Sequence, residues 1–379
     1  MNISMIVMNT FTHDTRVMKE AITLQAWGHR VTVNALWRVG LSTEETVDGI
    51  NVRRVRLGSR ERKRIPFLPW VEFMAKVVAA VRSQGPDVCH AHDLKTVPAG
   101  YVASKFTGSR LIYDSHELET DRNPNYYPDT RWKRWVWRQA ERLLIGRADG
   151  VITVSPSIAA ELARLYGISP PVVIRNCPDL IDLPSPGLLR SWLGLPKESQ
   201  IILYQGGLQE GRGLENLLRA VAQVPEATLV LLGDGPSRPR LETLGRELGI
   251  GGRLFLPGIV PLRDLLRYTR DAHLGVYLYQ NTCLSHYYTL PNKLFEYLMV
   301  GVPVLVSDFP DIRRIVRETG TGMAVDPDHV GAIADGLRRM LSDPEALMAM
   351  SRRARLAAET RYNWQTESQA LLSLYNAYV

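Results

Sequence analysis

An α/β fold of two doubly wound domains is the class this sequence predicts, on three observations. The chain has 379 residues, more than one ordinary hydrophobic core accommodates. Two series of short runs rich in Val and Ile alternate with stretches of helical period, the pattern of parallel strands buried on both faces. The two series are parted by residues 177–196, which hold four prolines and two glycines and read as an interdomain connection.

In the first series, strands are expected at residues 3–8, 30–35, 88–91, 110–114, 150–154 and 172–175, with a helix over 17–27. In the second, strands are expected at 201–205, 228–232, 254–256, 274–279 and 302–306, with helices over 214–222 and 241–248. From Asp343 onward the pattern is helical, opened by a capping carboxylate followed by Pro344. This tail is longer than the second sheet needs. The expected division is therefore a first domain over 1–180, a second over 181–360, and a C-terminal helix over 361–379 that packs back on the first.

Composition narrows the function classes. With 45% apolar and 22% charged residues the chain is globular, and its longest apolar runs, such as 300–306, fall far short of a bilayer span. The N-terminus opens on a strand pattern without the features of a signal peptide. Cys89, Cys177 and Cys283 are odd in number and lack metal-ligand spacing, which reads as reduced thiols in a cytoplasmic protein. A net charge of +7 points to anionic partners. No nucleic-acid-binding motif is present, so nucleic acid is not expected among them.

Open parallel sheets bind ligands beyond the carboxyl ends of their strands, so the residues there carry the chemistry. After the first strand come Thr12, His13 and Arg16, with neither a GxGxxG run nor an acidic residue closing the second strand, which disfavours a dinucleotide-dependent dehydrogenase. His92 and Asp93 follow the third strand, and His116 follows the fourth. Two histidines without a clear third ligand make a weak metal signal, so a polar substrate crevice is expected and no metal. In the second half, the first strand runs into Gly206, Gly207, Gly211 and Gly213 with Arg212 among them, just before a helix. Glycines, a cation and a helix N-terminus make a credible diphosphate cradle. Gly233 and Gly235 close the next strand in the same way. Glu296 lies among Leu294, Phe295, Tyr297, Leu298 and Met299, where a carboxylate needs a partner; the vicinal hydroxyls of a ribose are one.

These motifs, with Asp14-Thr15-Arg16-Val17 and Glu20 near the start and Gly301-Val302-Pro303-Val304 after Glu296, resemble the retaining family-4 glycosyltransferases. The resemblance spans nearly the whole chain. It implies the GT-B fold of two facing Rossmann-like domains and a metal-independent transfer of sugar from a nucleotide-diphosphate sugar, UDP- or GDP-linked, which is a co-substrate rather than a cofactor. It assigns Glu296 to the donor ribose and His116 to the neighbourhood of the transferred sugar. The family's phosphate-binding Arg and Lys fall at Gly207 and Arg212, so one cation is kept and one lost. The first glutamate of the family's Glu-x7-Glu motif falls at Tyr288. In its place stands Pro291-Asn292-Lys293, which resembles a Pro-Asn-Lys branch in which Lys293 restores the phosphate charge. His116, Glu296 and Lys293 are thus the expected catalytic residues, and Gly206, Gly207, Arg212, Gly233, Gly235 and Asn292 join them in holding the donor.

Two stretches mix cations with aromatics. Residues 60–73 hold Arg60, Arg62, Lys63 and Arg64, then Phe67, Trp70 and Phe73; residues 131–138 hold Trp132, Trp135 and Trp137 beside Lys133 and Arg134. Both suit an anionic membrane surface, and residues 60–73 are expected to hold the protein peripherally on the inner face of the membrane. The leading expectation is a retaining glycosyltransferase of cell-surface polysaccharide or glycolipid assembly, acting on a lipid-linked or glycan acceptor. A nucleotide-sugar epimerase or hydrolase, and a non-catalytic nucleotide-sugar binder prompted by Tyr288, are the alternatives.

Overall fold

The computed structural model describes residues 1–58, 67–122 and 131–378. It forms two compact units: one comprises residues up to Arg122, residues 131–175 and the chain from Ser368 onward, the other Asn176–Glu367. Arg60, Arg62, Lys63 and Arg64 lie outside the described residues.

The first unit carries β1 (Asn2–Ile6), α1 (Thr15–Ala26), β2 (Arg30–Leu36), β3 (Glu44–Val47), β4 (Ile50–Val55), α2 (Leu68–Gln84), β5 (Val88–His92), α3 (Val97–Thr107), β6 (Arg110–Ser115), α4 (Arg131–Leu144), β7 (Gly150–Thr153), α5 (Pro156–Tyr166) and β8 (Val172–Val173). Its sheet has the order β3-β4-β2-β1-β5-β6-β7-β8, parallel throughout the described strands except for the β3–β4 hairpin. The strands β3 and β4 were not expected from the sequence. Their connection is Asp48-Gly49, both at positive φ, the backbone a two-residue hairpin needs. The direction of strand addition reverses between β1 and β5, so the loops after these two strands face each other across the switch point.

The second unit carries α6 (Leu188–Leu193), β9 (Gln200–Gln205), α7 (Leu214–Val221), β10 (Ala227–Leu232), α8 (Arg238–Glu247), β11 (Leu254–Gly258), α9 (Leu265–Thr269), β12 (Leu274–Tyr277), α10 (Leu284–Tyr287), α11 (Asn292–Met299), β13 (Val304–Ser307), α12 (Pro310–Thr319), β14 (Gly322–Val325), α13 (Val330–Leu341) and α14 (Pro344–Thr360). Its sheet is parallel, in the order β11-β10-β9-β12-β13-β14, with the reversal between β9 and β12. Alternate residues of β9 point to opposite layers. Ile201 and Leu203 join a cluster with Phe295, Leu298 and Met299 of α11, whereas Ile202 and Tyr204 join one with Leu217, Leu218 and Leu337. Both faces are covered, which is why the strand reads as an unbroken apolar run.

The last helix, α15 (Trp364–Asn376), begins in the second unit and ends in the first. Its Tyr375 is fully buried there, with its hydroxyl 2.9 Å from Nδ1 of His90. The three cysteines are free thiols, Cys89 and Cys177 buried. Among the described residues, no helix is long and apolar enough to cross a membrane.

Candidate functional site

In the second unit the polar groups gather at the β9–β12 switch point. The glycine loop after β9 is locked by its neighbours. The amides of Gly206 and Leu208 donate to the carbonyls of Leu232 and Asp234, and Gln280 donates to Gly211. A Cβ at Gly233 would lie 2.0 Å from the Gly206 carbonyl oxygen, and one at Gly213 would lie 1.9 Å from that of Leu278. These two glycines therefore serve contact between loops, and the amides of Gly206 and Leu208 are committed to the chain. The first turn of α7, which follows Gly213 without a side-chain cap, offers its amides to an anion. Amides of a first helical turn lack intrahelical partners and carry the positive end of the helix dipole.

Two cations converge beside this loop. Lys293, in the first turn of α11, lies over Gly206, where a Cβ would stand 2.9 Å from its Nζ. Its ammonium sits 4.2 Å from the ring centre of Tyr204, 5.3 Å from that of Tyr279 and 5.6 Å from that of Tyr277. Arg212 stacks on the same Tyr279 ring, with Cζ at 3.9 Å. Aromatic faces attract cations, but they cancel no charge. Burial, with Arg212 close by, pulls the Lys293 ammonium down to about 7 against the opposing pull of Glu296. Burial and Arg212 likewise press His286 down to about 4. Two basic side chains thus share one cluster of aromatic rings, with Glu296 as the carboxylate that acts on Lys293.

Glu296, one helical turn beyond Lys293, accepts a 2.5 Å hydrogen bond from Nε2 of Gln205, the last residue of β9. Oε1 of Gln205 accepts in turn from the hydroxyl of Thr269 at 2.8 Å. The helix is fixed by Tyr297, which packs under Gly275 and donates to the Leu203 carbonyl at 3.0 Å. Asn292 is exposed at the start of α11, and Tyr288 ends α10 with its ring against Tyr287.

In the first unit, the loop after β1 is built by Asp14, which caps α1 by accepting from Val17 at 3.2 Å and receives Asn9 at 2.7 Å. Thr12 and His13 are exposed on it. Arg16 and His92, expected to line a crevice, are instead buried beneath it. Arg16, only 4% exposed, donates to both oxygens of Asp114 at 2.8 and 2.9 Å, and to the Ile174 carbonyl. The reason is local: α1 turns Arg16 and Glu20 onto one face, toward the polar ends of β5 and β6, and the two pair at 3.1 Å. His92 lies under His116, 3.3 Å away, and stacks on His90 at 4.2 Å.

His116 is half-buried between two carboxylates, Nε2 3.0 Å from Asp114 and Nδ1 3.4 Å from Asp93. Burial alone would lower it, but Asp93 and Asp114 outweigh burial and hold it up at about 10, so the ring is an imidazolium at neutral pH. Asp93 adopts φ 66, a conformation non-glycine residues rarely take, which turns its carboxylate to the ring. Burial raises the Asp114 carboxyl, but Arg16 and His116 drive it well below its ordinary range. Burial and Asp114 push Glu20 up to about 7. The sequence offered two histidines and no third ligand; the fold brings ligand atoms of Glu20, His90, His92 and Asp114 within 4.8 Å of one another. The cation among them is already Arg16, which contacts both carboxylates.

Residues 13–177 match the glycosyl transferase 4-like domain family, and residues 189–357 match the glycosyl transferases group 1 family. The D-inositol 3-phosphate glycosyltransferase of Xylanimonas cellulosilytica is 28% identical over 317 residues, which cover 78% of this chain and 73% of that protein. Sucrose-phosphate synthase from Thermosynechococcus elongatus has the same fold, with a TM-score of 0.83 at 22% identity, covering 99% of this chain and 98% of that one. So has HepE of Anabaena, solved in complex with UDP, with a TM-score of 0.80 at 18% identity over 100% of both chains. The chain is a glycosyltransferase of the GT-B type.

In this glycosyltransferase, Gly206, Arg212, Lys293 and Glu296 fall at one end of the second sheet, and Asp93 and His116 at one end of the first. Gly207 lies beside them, its carbonyl accepting from the Tyr204 hydroxyl at 2.8 Å. Sequence reasoning missed Gln205, Thr269 and the tyrosines at 204, 277 and 279. Gln205 left a signal, a polar residue ending an apolar strand. Phe73, expected at a membrane surface, is buried, and Trp70 is held by its indole N–H to the Lys95 carbonyl and by the Trp137 ring. Among the described residues of α2 and α4, the exposed aromatics are Trp132 (54%) and Trp135 (63%).

Proposed function

We propose that this glycosyltransferase transfers a sugar from a nucleotide-diphosphate sugar with retention of anomeric configuration and without a metal ion. The observation that carries this reading is the convergence of Arg212 and Lys293 on Tyr279, where two cations in an apolar box await a polyanion. Glu296 would accept from the ribose hydroxyls, while Arg212, Lys293 and the first turn of α7 would take the diphosphate. A UDP-sugar is the donor class favoured by likeness to HepE, solved with UDP and with UDP-glucose; GDP-sugars are the other arm of the test.

As the bond from the anomeric carbon to the diphosphate breaks, negative charge grows on the leaving oxygen. Fixed cations at that point stabilise the transition state more than the ground state. The new bond to the acceptor oxygen forms on the same face, and the departing phosphate takes the acceptor's proton. His116, charged between Asp93 and Asp114, would set the polarity around the transferred sugar.

The acceptor is proposed to be a lipid-linked or other glycan in cell-surface polysaccharide or glycolipid assembly. The protein would meet it while held peripherally on the inner face of the membrane, with Trp132 and Trp135 and the cations of α4 as the contact, together with the cations Arg60, Arg62, Lys63 and Arg64.

The test is transfer from a panel of UDP- and GDP-sugars, with the product anomer read by NMR, for the wild type and Glu296→Ala. Retention in the wild type and loss of transfer with a native fold in the variant are expected. An inverted product, or wild-type donor affinity in Glu296→Ala, would overturn the assignment.

A further inference from the structure

We infer that Thr269 and Gln205 form a positioning relay that fixes the Glu296 carboxylate for recognition of ribose hydroxyls. The inference rests on the assignment of Glu296 to the donor ribose and adds two residues that touch no substrate.

Gln205 ends the apolar strand β9 and is 2% exposed, and Thr269, at the end of α9, is fully buried. Polar side chains this deep are costly unless paired, and here each is paired with the other. Nε2 of Gln205 donates to Glu296 at 2.5 Å, and Oε1 accepts from Thr269 at 2.8 Å. The two ends of a primary amide are not interchangeable beside a carboxylate. An amide oxygen turned toward Glu296 would set acceptor against acceptor, so the N–H end must face it.

What holds the amide in that sense is the single proton of Thr269. The hydroxyl lies 2.8 Å from two acceptors, Oε1 of Gln205 and the Leu265 carbonyl. The carbonyl is one turn earlier in α9, where a helix carbonyl accepts from the backbone. Given to Gln205, the proton leaves no buried acceptor orphaned. The relay then runs one way, from Thr269 to Gln205 to Glu296, and leaves the carboxylate aimed from α11. Without the Thr269 donor the amide loses the bond that sets its sense, and the hydrogen bond from Gln205 to Glu296 weakens.

The experiment measures the Kd of UDP and of 2′,3′-dideoxy-UDP, or of GDP and its dideoxy form if the protein selects guanosine. The proteins are the wild type, Thr269→Val, Thr269→Ser, Gln205→Met and Glu296→Ala. Thr269→Val is close to isosteric, and thermal unfolding verifies each fold. The wild type should prefer the ribose form. Thr269→Val should weaken it about three- to tenfold, the scale of one neutral hydrogen bond, and leave dideoxy binding unchanged. Thr269→Ser should restore the preference, and Gln205→Met, which cuts the relay from the other side, should match Thr269→Val. An unchanged ribose preference in both Thr269→Val and Gln205→Met overturns the relay. Equal losses for ribose and dideoxy forms also overturn it, as a structural role. If Glu296→Ala itself keeps the ribose preference, the underlying assignment of Glu296 is what fails.

Discussion

Lys293 should gain a proton when a nucleoside diphosphate binds. In the free protein its ammonium is pulled down to about 7, chiefly by burial and then by Arg212. A diphosphate reverses the second cause and offsets the first, so the pKa rises on binding. The sign follows from linkage: a group protonated more readily in the complex favours binding below its free value. Affinity is therefore full below about pH 7 and falls as pH rises through it, by up to about tenfold, or ~1.4 kcal/mol, per unit. At about pH 8 a group of pKa about 7 is charged in roughly one molecule of eleven, so each UDP bound should take up about 0.9 proton. Ionisation of a terminal phosphate lies near pH 6, so the window above pH 7 isolates the lysine. Calorimetry of UDP binding at about pH 8, in two buffers of different ionisation enthalpy, counts the protons. Lys293→Met should lose both the uptake and the pH dependence. The same uptake in wild type and variant, or a UDP affinity flat above about pH 7, would refute the reasoning.

Arg212→Ala should weaken UDP binding by about 1.5–3 kcal/mol, the scale of a charge-assisted hydrogen bond, and uridine binding far less; titration calorimetry with both ligands decides. Transfer by the wild type should survive EDTA, since Arg212 and Lys293 supply the charge. Arg16→Leu removes the guanidinium that pairs with buried Asp114 and Glu20, leaving Asp114 to His116, and should cost about 3–5 kcal/mol in urea unfolding. His116 is held up at about 10, so its contribution to stability is fully present below its unfolded value of 6.5 and lost as pH rises through about 10. The destabilisation of His116→Gln against wild type should therefore be larger at about pH 6 than at about pH 10.5 in unfolding titrations. Equal differences at both would remove the two carboxylates as its cause.

Much of the fold was legible because the central strands are buried on both faces, as Ile201–Tyr204 show, and need no partner to announce themselves. The edges were not. In β3 and β4 the residues Glu44, Glu45 and Arg53 interrupt any apolar run, because an edge hairpin exposes one face, and Arg54 interrupts it on the buried face, where it pairs with Glu45; only Asp48-Gly49 betrayed the hairpin. Arg212, Lys293 and Glu296 could be read locally, each being a charge among glycines or apolar residues. The partners that set their behaviour could not. Thr269 is 64 residues from Gln205, and Tyr375 is 285 from His90. A helical period says which face is buried, not which hydroxyl meets which ring. Arg16 illustrates the same limit: its place in the opening motif was visible, but its burial depends on Asp114, 98 residues away.

The glycine loop shows how a legible motif can have a further physical cause that only the fold reveals. Read alone, Gly206, Gly207, Gly211 and Gly213 suggest room for a ligand, and Gly233 and Gly235 suggest more of it. In the fold, side chains at Gly213, Gly233 and Gly235 would strike the carbonyls of Leu278, Gly206 and Leu208. The glycines let three loops meet backbone to backbone at the point where the order of the strands reverses. That interlock commits the Gly206 and Leu208 amides to the chain and holds the start of α7 in place. On the proposed reading, the diphosphate would meet groups that these loops position: the first turn of α7, Arg212 on Tyr279, and Lys293 lying across Gly206. The absence of a side chain at Gly206 matters most there, because it lets an ammonium rest against the strand end within reach of three aromatic rings. The sequence thus marked the place of the site through glycines whose main task is to build it.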